Sequence, residues 1–302
     1  MPALTDPIYT DEDAARAHIE AQRWPNGVVC PFCGGMEKVR TLGGASMGPG
    51  WYHCGDCREK FTVRVGTVLE RSHVPLNKWV LAFRLLCGSK KGMSAHQLHR
   101  TLGVTYKTAW FMAHRIREAM AEPGTLPPMG GEGKTIEADE TYIGRRPGAE
   151  KKRAFHHKMA VLSLVERGGN VRSFHVEKMT TDTVAEVIKA NADTRSHLRT
   201  DEARHYVHLG REFASHESVQ HSGKEYVRGT SHTNTIEGFF SVFKRGMKGV
   251  YQHCAEKHLH RYLAEFDFRY NQRAALGVDD IKRACVALAA IEGKRLTYRR
   301  VA

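Results

Sequence analysis

No run of the 302-residue chain is apolar for long enough to cross a bilayer as a helix, so a helical membrane protein is not expected. A secretory leader is not expected either: residues 1–24 carry Asp6, Asp11, Glu12, Asp13 and Glu20 and no extended apolar run. Internal repeats and low-complexity tracts are absent. Acidic residues are in deficit, 33 Asp and Glu against 46 Lys and Arg, leaving a formal charge of +13 before any of the 18 His is protonated. Such a surplus favours a polyanionic partner, nucleic acid first, but names no activity. Cysteine is scarce and odd in number, seven in all, and four of the seven fall in two tight pairs. That usage points to metal thiolates in a reducing compartment rather than to disulfides. A cytoplasmic, nucleoid-associated protein with no membrane partner is the expectation.

The length allows two compact units. Residues 10–23 read as a short amphipathic helix with Thr10 or Asp11 as its N-cap. Residues 30–67 are rich in glycine and short alternating runs, which suggests small antiparallel strands around a metal. Helical spacing returns over 76–87, 94–101 and 105–120. Pro123, Gly124, Pro127, Pro128, Gly130, Gly131 and Gly133 then crowd a stretch that joins better than it packs. Beyond it, 134–142, 158–165, 171–176 and 197–201 read as strands, and 181–192, 234–245 and 258–272 as helices. The expectation is an α+β protein: helix and metal ribbon over 1–67, a helix-turn-helix region over 68–122, a linker over 123–133, and a mixed-sheet domain flanked by helices over 134–302.

Cys30-Pro-Phe-Cys33 and Cys54-Gly-Asp-Cys57 are two pairs of the same spacing, 20 residues apart. Each pair can aim both thiolates into one tetrahedron from a tight turn, and together they close a four-thiolate zinc shell. A closed shell has no open position, so this zinc is expected to hold the fold and leave the chemistry to another site. His53 adjoins Cys54 but is not needed as a ligand. Cys87, Cys254 and Cys285 stand alone and read as small core residues.

Residues 93–110 have helix-turn-helix form, with Ala95, Leu98, Val104, Ala109 and Met112 as inward positions and Ser94 and Thr105 as caps. The second helix presents Tyr106, Lys107, Thr108 and Trp110 near its start, where base edges and phosphates are met, and Arg115 further along. The same residues would suit a solvated helical hairpin, so the segment counts for more than any single side chain.

Ile136-Glu-Ala-Asp139-Glu-Thr-Tyr-Ile143 sets acids inside an apolar alternating run, an odd choice for a strand unless a carboxylate serves a cation. Glu137 and Asp139 share a face of such a strand, and Glu140 points the other way. Asp201 ends the strand-like run at 197–201, and Glu237, separated from it by 35 residues, lies at the start of a helix. Two aspartates and a glutamate from separate elements suit a pair of Mg²⁺ or Mn²⁺ ions and phosphoryl transfer. Lys244 lies two helical turns after Glu237 on the same face, placed to meet a phosphate, and Arg245 follows it.

The two cysteine pairs, the helix-turn-helix, Glu137-Ala-Asp139-Glu-Thr-Tyr142, Thr200-Asp201 and His232-Thr-Asn234-Thr-Ile-Glu237-Gly-Phe-Phe-Ser-Val-Phe-Lys244-Arg245-Gly resemble the zinc-ribbon insertion-sequence transposases with an ISXO-type catalytic domain. The resemblance runs from about residue 10 to Arg273. It implies a ribonuclease H-like DDE domain with Asp139 and Asp201 as the first two catalytic acids. Parts of that family carry Asn as the third member, and here both Asn234 and Glu237 are present. Spacing favours Glu237 as the ligand and leaves Asn234 a secondary ligand or substrate contact. The implied partners are double-stranded DNA, both the element's terminal inverted repeats and the target, and further copies of the chain in a homo-oligomer. A zinc-ribbon DNA-binding regulator, a domesticated relative that no longer transposes, is the alternative.

Overall fold

Asp11 starts the first helix: its carboxylate accepts the Ala14 N–H, and α1 runs over Glu12–Arg23. Trp24 ends it and packs edge-on against Tyr52 and Phe61, ring centroids 5.5 and 6.1 Å away. Those two rings belong to an antiparallel meander of β1 (Val39–Leu42), β2 (Trp51–Cys54) and β3 (Lys60–Thr62), with Val39 opposite Cys54 and Trp51 opposite Thr62. Three strands this short bury too little to stand unaided, which is where the aromatic cluster and the cysteine pairs contribute. The computed structural model describes residues 4–297 apart from 45–46, 123, 125, 151–154, 207–208 and 220–231.

Three helices follow, α2 (Leu76–Gly88), α3 (Ala95–Leu102) and α4 (Tyr106–Met120). Ser94 Oγ accepts the Gln97 N–H and Thr105 Oγ1 the Thr108 N–H, the two expected caps. Between α3 and α4 the chain turns through Gly103 at φ 59°, a left-handed conformation that a side chain would resist. Leu98, Leu102, Ala109, Met112 and Ile116 are buried, while Ala95 and Val104 are half-buried. The pair is a helix-turn-helix.

The second unit, Glu122–Gln272, is built from β4 (Thr135–Ile143), β5 (Met159–Glu166), β6 (Val171–Val176), α5 (Thr181–Asn191), β7 (His197–Asp201), β8 (Ser215–Val219), α6 (Asn234–Gly246) and α7 (Leu259–Asn271). Its sheet runs β6-β5-β4-β7-β8: the first three strands are antiparallel, and β7 and β8 add in parallel on the other side of β4. This is the ribonuclease H-like arrangement. β5 is apolar and buried almost throughout because both faces of the sheet are covered. Ile143, Met159, Val161 and Val165 face α6 and α7, whereas Ile136, Ala138, Leu162 and Leu164 face Val184 and Ile188 of α5. Past α6 a π-helical turn, Met247–Tyr251, carries Tyr251 to Glu265, and Glu265 pairs with Arg269 inside α7.

Two boundaries differ from expectation. Residues 126–133 are no free spacer: Met129 is buried, its N–H donates to Asn191 O at 2.7 Å, and Asp193 N–H returns to Met129 O at 2.8 Å. Gly130, at φ 87°, lies so close to Ser196 Oγ and Ile136 that a Cβ would collide with both. Pro123 and Thr125 of the expected linker lie outside the described residues. The C-terminal stretch, expected within the sheet domain, belongs instead to the first unit, which comprises Met1–Ala121 and Arg273–Ala302. Its helix α8 (Asp280–Ala289) packs on α2, and the buried Arg283 donates to Cys87 O at 2.9 Å. Beyond α8, Ile291 O accepts the Val68 N–H and Gly293 N–H reaches Gly66 O. Those bonds close the unit, and no local periodicity announces them.

Asp267 on α7 accepts Ser173 N–H and Ser173 Oγ–H, each at 2.7 Å, yet burial pushes its carboxyl up to about 7. The folded state therefore holds this proton more tightly than the unfolded chain, whose Asp titrates near ~3.9. Its contribution to stability should fall as pH rises from about 4 through about 7. Melting temperatures at pH 5 and pH 8 should show that loss in the wild type and a smaller one in Asp267→Asn; equal slopes would refute it.

Candidate functional site

β4 and β7 pair in parallel with Glu137 opposite Arg199, and the next residues on the same face of each strand are Asp139 and Asp201. The two aspartates thus stand side by side at the strand ends. Asp139 Oδ1 accepts the Glu140 N–H at 2.7 Å, and Asp201 Oδ1 accepts the Ala203 N–H at 2.9 Å. Glu140 starts from the opposite face of β4, where Tyr206 O–H donates to its Oε2 at 2.7 Å and His205 Nε2 lies 3.3 Å from Oε1. Its longer side chain still brings an oxygen to the group: carboxylate oxygens of Asp139, Glu140 and Asp201 all lie within 4.8 Å of one another. Alternation along the strand had set Glu140 apart. The signal that could have joined it is the adjacent acid pair Asp139-Glu140 followed by His205-Tyr206 just after Asp201.

Burial first, and then the charges of Asp201, Glu140 and Glu237, push the Asp139 carboxyl up to about 8. Burial above all, and then the charges of Glu140, Asp201 and Asp139, push the Tyr142 hydroxyl up to about 12. Glu237, on the first turn of α6, is exposed and accepts Thr233 Oγ1–H at 2.9 Å; its charge is felt at Asp139, but it stands outside the tight group of three. Asn234 is the first residue of α6 and is exposed. Lys244 lies 5.8 Å from the Phe240 ring centroid, and the exposed Arg245 donates to Ser241 O and Oγ of the same helix.

In the first unit, the Sγ atoms of Cys30, Cys33, Cys54 and Cys57 also lie within 4.8 Å of one another. Two knuckles shape them: Gly34 N–H donates to Cys30 O, and Cys54 N–H to Glu59 O. The Cys57 N–H above all, working against burial, holds the Cys54 thiol down at about 7. Four sulfurs gathered this closely are the donor set of a thiolate metal site. On the helix-turn-helix, Tyr106 and Lys107 are exposed and Tyr106 lies against His96, ring centroids 4.4 Å apart. Thr108 Oγ1 is tied to Thr105 Oγ1 at 2.8 Å, and Trp110 packs on His114. Arg115 departs from expectation: it is buried, donates to Glu70 O at 2.9 Å and lies over the Phe111 ring. Its guanidinium is used inside the unit, which removes it from a DNA-facing surface.

Residues 10–60 match the family described as a transposase zinc-ribbon domain, and residues 130–271 match the ISXO2-like transposase domain. Over 286 residues, 89% of this chain and 93% of the relative, the sequence is 31% identical to an uncharacterized protein in transposable element ISH50 of Halobacterium salinarum. The chain belongs to the ISXO2-like transposases. Among solved structures, a chain of the pre-cleavage Mos1 transpososome aligns at 11% identity and a TM-score of 0.29, over 69% of this chain and 74% of that one, too distant a likeness to inform the site.

This transposase has donor sets of two kinds. The four sulfurs suit structural zinc, and the three clustered carboxylates suit a hard divalent cation. Three acids crowded this closely repel one another, and that repulsion adds to burial in holding the Asp139 carboxyl up; a cation would relieve it. No helix among the described residues is long and apolar enough to cross a membrane.

Cys54→Ser should cut bound zinc well below one per chain and unprotect the β1–β3 amides, read by elemental analysis and hydrogen exchange. Full zinc content with unchanged exchange would sink the four-thiolate assignment. Protons and metal compete for Asp139, so Mn²⁺ affinity should rise with pH until about 8, by about tenfold per unit where one proton is displaced. Calorimetric titrations at pH 6, 7 and 8 that give one affinity would exclude that competition.

Proposed function

We propose that this transposase binds the terminal inverted repeats of an insertion sequence and catalyses metal-dependent cleavage and transfer of its ends into target DNA. The observation that carries the reading is the parallel register that sets Asp139 beside Asp201. Those two carboxylates would hold the catalytic cations, with Glu237 as the third acid and Asn234 beside it as a secondary ligand or substrate contact. Two Mg²⁺ or Mn²⁺ ions so held supply Lewis-acid activation of the attacking oxygen and stabilisation of the leaving one. Cleavage and joining are both in-line displacements at phosphorus, by water first and then by the freed 3′-hydroxyl.

The chain's own groups bind and orient. Lys244 and Arg245, on the helix that carries Glu237, neutralise DNA phosphate near the acids. Tyr106, Lys107, Thr108 and Trp110 at the start of α4 read the terminal repeat. A net charge of +13 favours the encounter with DNA. Two ends must be brought together to be joined, which favours a homo-oligomer as the working form, acting on nucleoid DNA in the cytoplasm.

A labelled duplex bearing the native element ends, incubated with Mg²⁺, should yield cleaved and joined products with the wild type. Asp139→Ala and Asp201→Ala should lose both by about 10³-fold or more, given that electrostatic stabilisation is the largest catalytic contribution. Glu237→Ala against Asn234→Ala decides the third ligand by which loses more. Wild-type protein that binds the ends but neither cuts nor joins them in saturating metal would leave a DNA-binding regulator.

A further inference from the structure

Glu137 stands two residues before Asp139 on the same face of β4 and is wholly buried. A strand under an apolar helix ordinarily carries Val or Ile there, and a carboxylate must be compensated bond by bond. Glu137 Oε1 accepts Arg167 Nε–H at 2.6 Å and Thr235 Oγ1–H at 2.8 Å, and Oε2 accepts the Ile236 N–H at 2.9 Å. Arg167 extends the hold: its Nη2 donates to His232 O at 2.8 Å, and its backbone N–H donates to Thr135 O at 3.0 Å. His232 Nδ1 lies 3.4 Å from Glu137 Oε1.

The bond to Ile236 is the telling one. Ile236 is the third residue of α6, and its N–H is a donor that an N-cap side chain ordinarily satisfies. Thr233, at the N-cap of α6, makes no such bond; its hydroxyl donates to Glu237 Oε1 instead. The cap is supplied from β4, and the residue that would have capped is released to orient Glu237. Burying an ion pair is not needed for stability, since apolar residues of similar volume serve as well or better. Apolar contact is non-directional, however, and cannot fix the rotation of a helix end as hydrogen bonds do.

We propose that Glu137 is a positioning residue: with Arg167 as counter-ion, it caps α6 from the neighbouring strand and so fixes where Asn234 and Glu237 stand relative to Asp139. The inference rests on the metal reading above and deepens it. It concerns how the acids are held and requires no contact of Glu137 with substrate or metal.

The test is Mn²⁺ affinity, read by electron paramagnetic resonance of free Mn²⁺ on the full chain, with melting temperature followed in parallel. Glu137→Gln keeps the shape but turns an amide toward Arg167, and it should weaken Mn²⁺ binding roughly tenfold or more, as does loss of a group that orients metal ligands. In the N234A/E237A background the same change should cost little further, because what it positions is gone. Wild-type affinity in Glu137→Gln, or an undiminished cost in that background, would overturn the proposal. Arg167→Gln breaks the clamp from its partly exposed side and carries the same test if Glu137→Gln does not fold. Failure of the metal reading looks different: Mn²⁺ does not bind the wild type, or N234A/E237A binds it unchanged, and the proposal falls with it. Failure of the clamp alone leaves N234A/E237A impaired and Glu137→Gln intact.

Discussion

Parallel pairing of β4 with β7 is the constraint on which the rest of the catalytic unit depends. It brings two carboxylates together at the strand ends, and a third joins them, all with oxygens within 4.8 Å. At an intermediate effective dielectric, like charges at that separation repel by roughly 3 kcal/mol per pair. A fold that stabilised itself alone would not place them so. The sheet resists the repulsion with rigidity: β5 is buried on both faces, and helices cover each side.

Strand alternation divides the support between the two sides. On the α6 side, Glu137 and Arg167 hold the start of the helix that carries Asn234 and Glu237. On the α5 side, Tyr206 and His205 hold Glu140, and the buried Tyr206 hydroxyl, raised far above its usual range, remains a donor throughout the physiological range. A single strand thus carries acids on both faces: Glu137 on one and Glu140 on the other are each held by neighbours, and Asp139, on the Glu137 face, joins Glu140 and Asp201 in the clustered group. Glu237 stands apart from the tight group with its turn fixed at the backbone and its exposed side chain held by the Thr233 hydroxyl.

Much of this was legible in the residues because the cues are local. Two cysteine pairs at equal spacing, a capped helix-turn-helix and an acid-bearing apolar strand each announce themselves within a few positions, and the helices and strands through residue 201 fall within a residue or two of their expected places. What stayed hidden is non-local or lacks pattern. β8, Ser215-His-Glu-Ser-Val219, has one apolar residue and pairs only because β7 offers a parallel edge. Arg115 reads as a surface cation on its helix, and only the fold brings Glu70 O to its guanidinium. Glu137 looks like a spare acid beside Asp139 until Arg167 and the first turn of α6 arrive from 30 and about 100 residues away.

The C-terminal helix shows the same limit at the scale of domains. Composition places a boundary at the Pro- and Gly-rich stretch before residue 134 and gives no reason to look for another, because α8 is an ordinary amphipathic helix that any neighbour could cover. Its actual neighbour is α2, nearly two hundred residues earlier, and the buried Arg283 seals the contact on Cys87 O. The first unit is therefore made of two separated pieces, and the catalytic unit is an insertion between them. A chain cut after residue 133 loses Ala287, Leu288 and Ile291 from its core along with the bonds at Gly66 and Val68. The divisible piece of this transposase is the internal segment 122–272, and the helix-turn-helix is a complete unit only when the far end of the chain has returned to it.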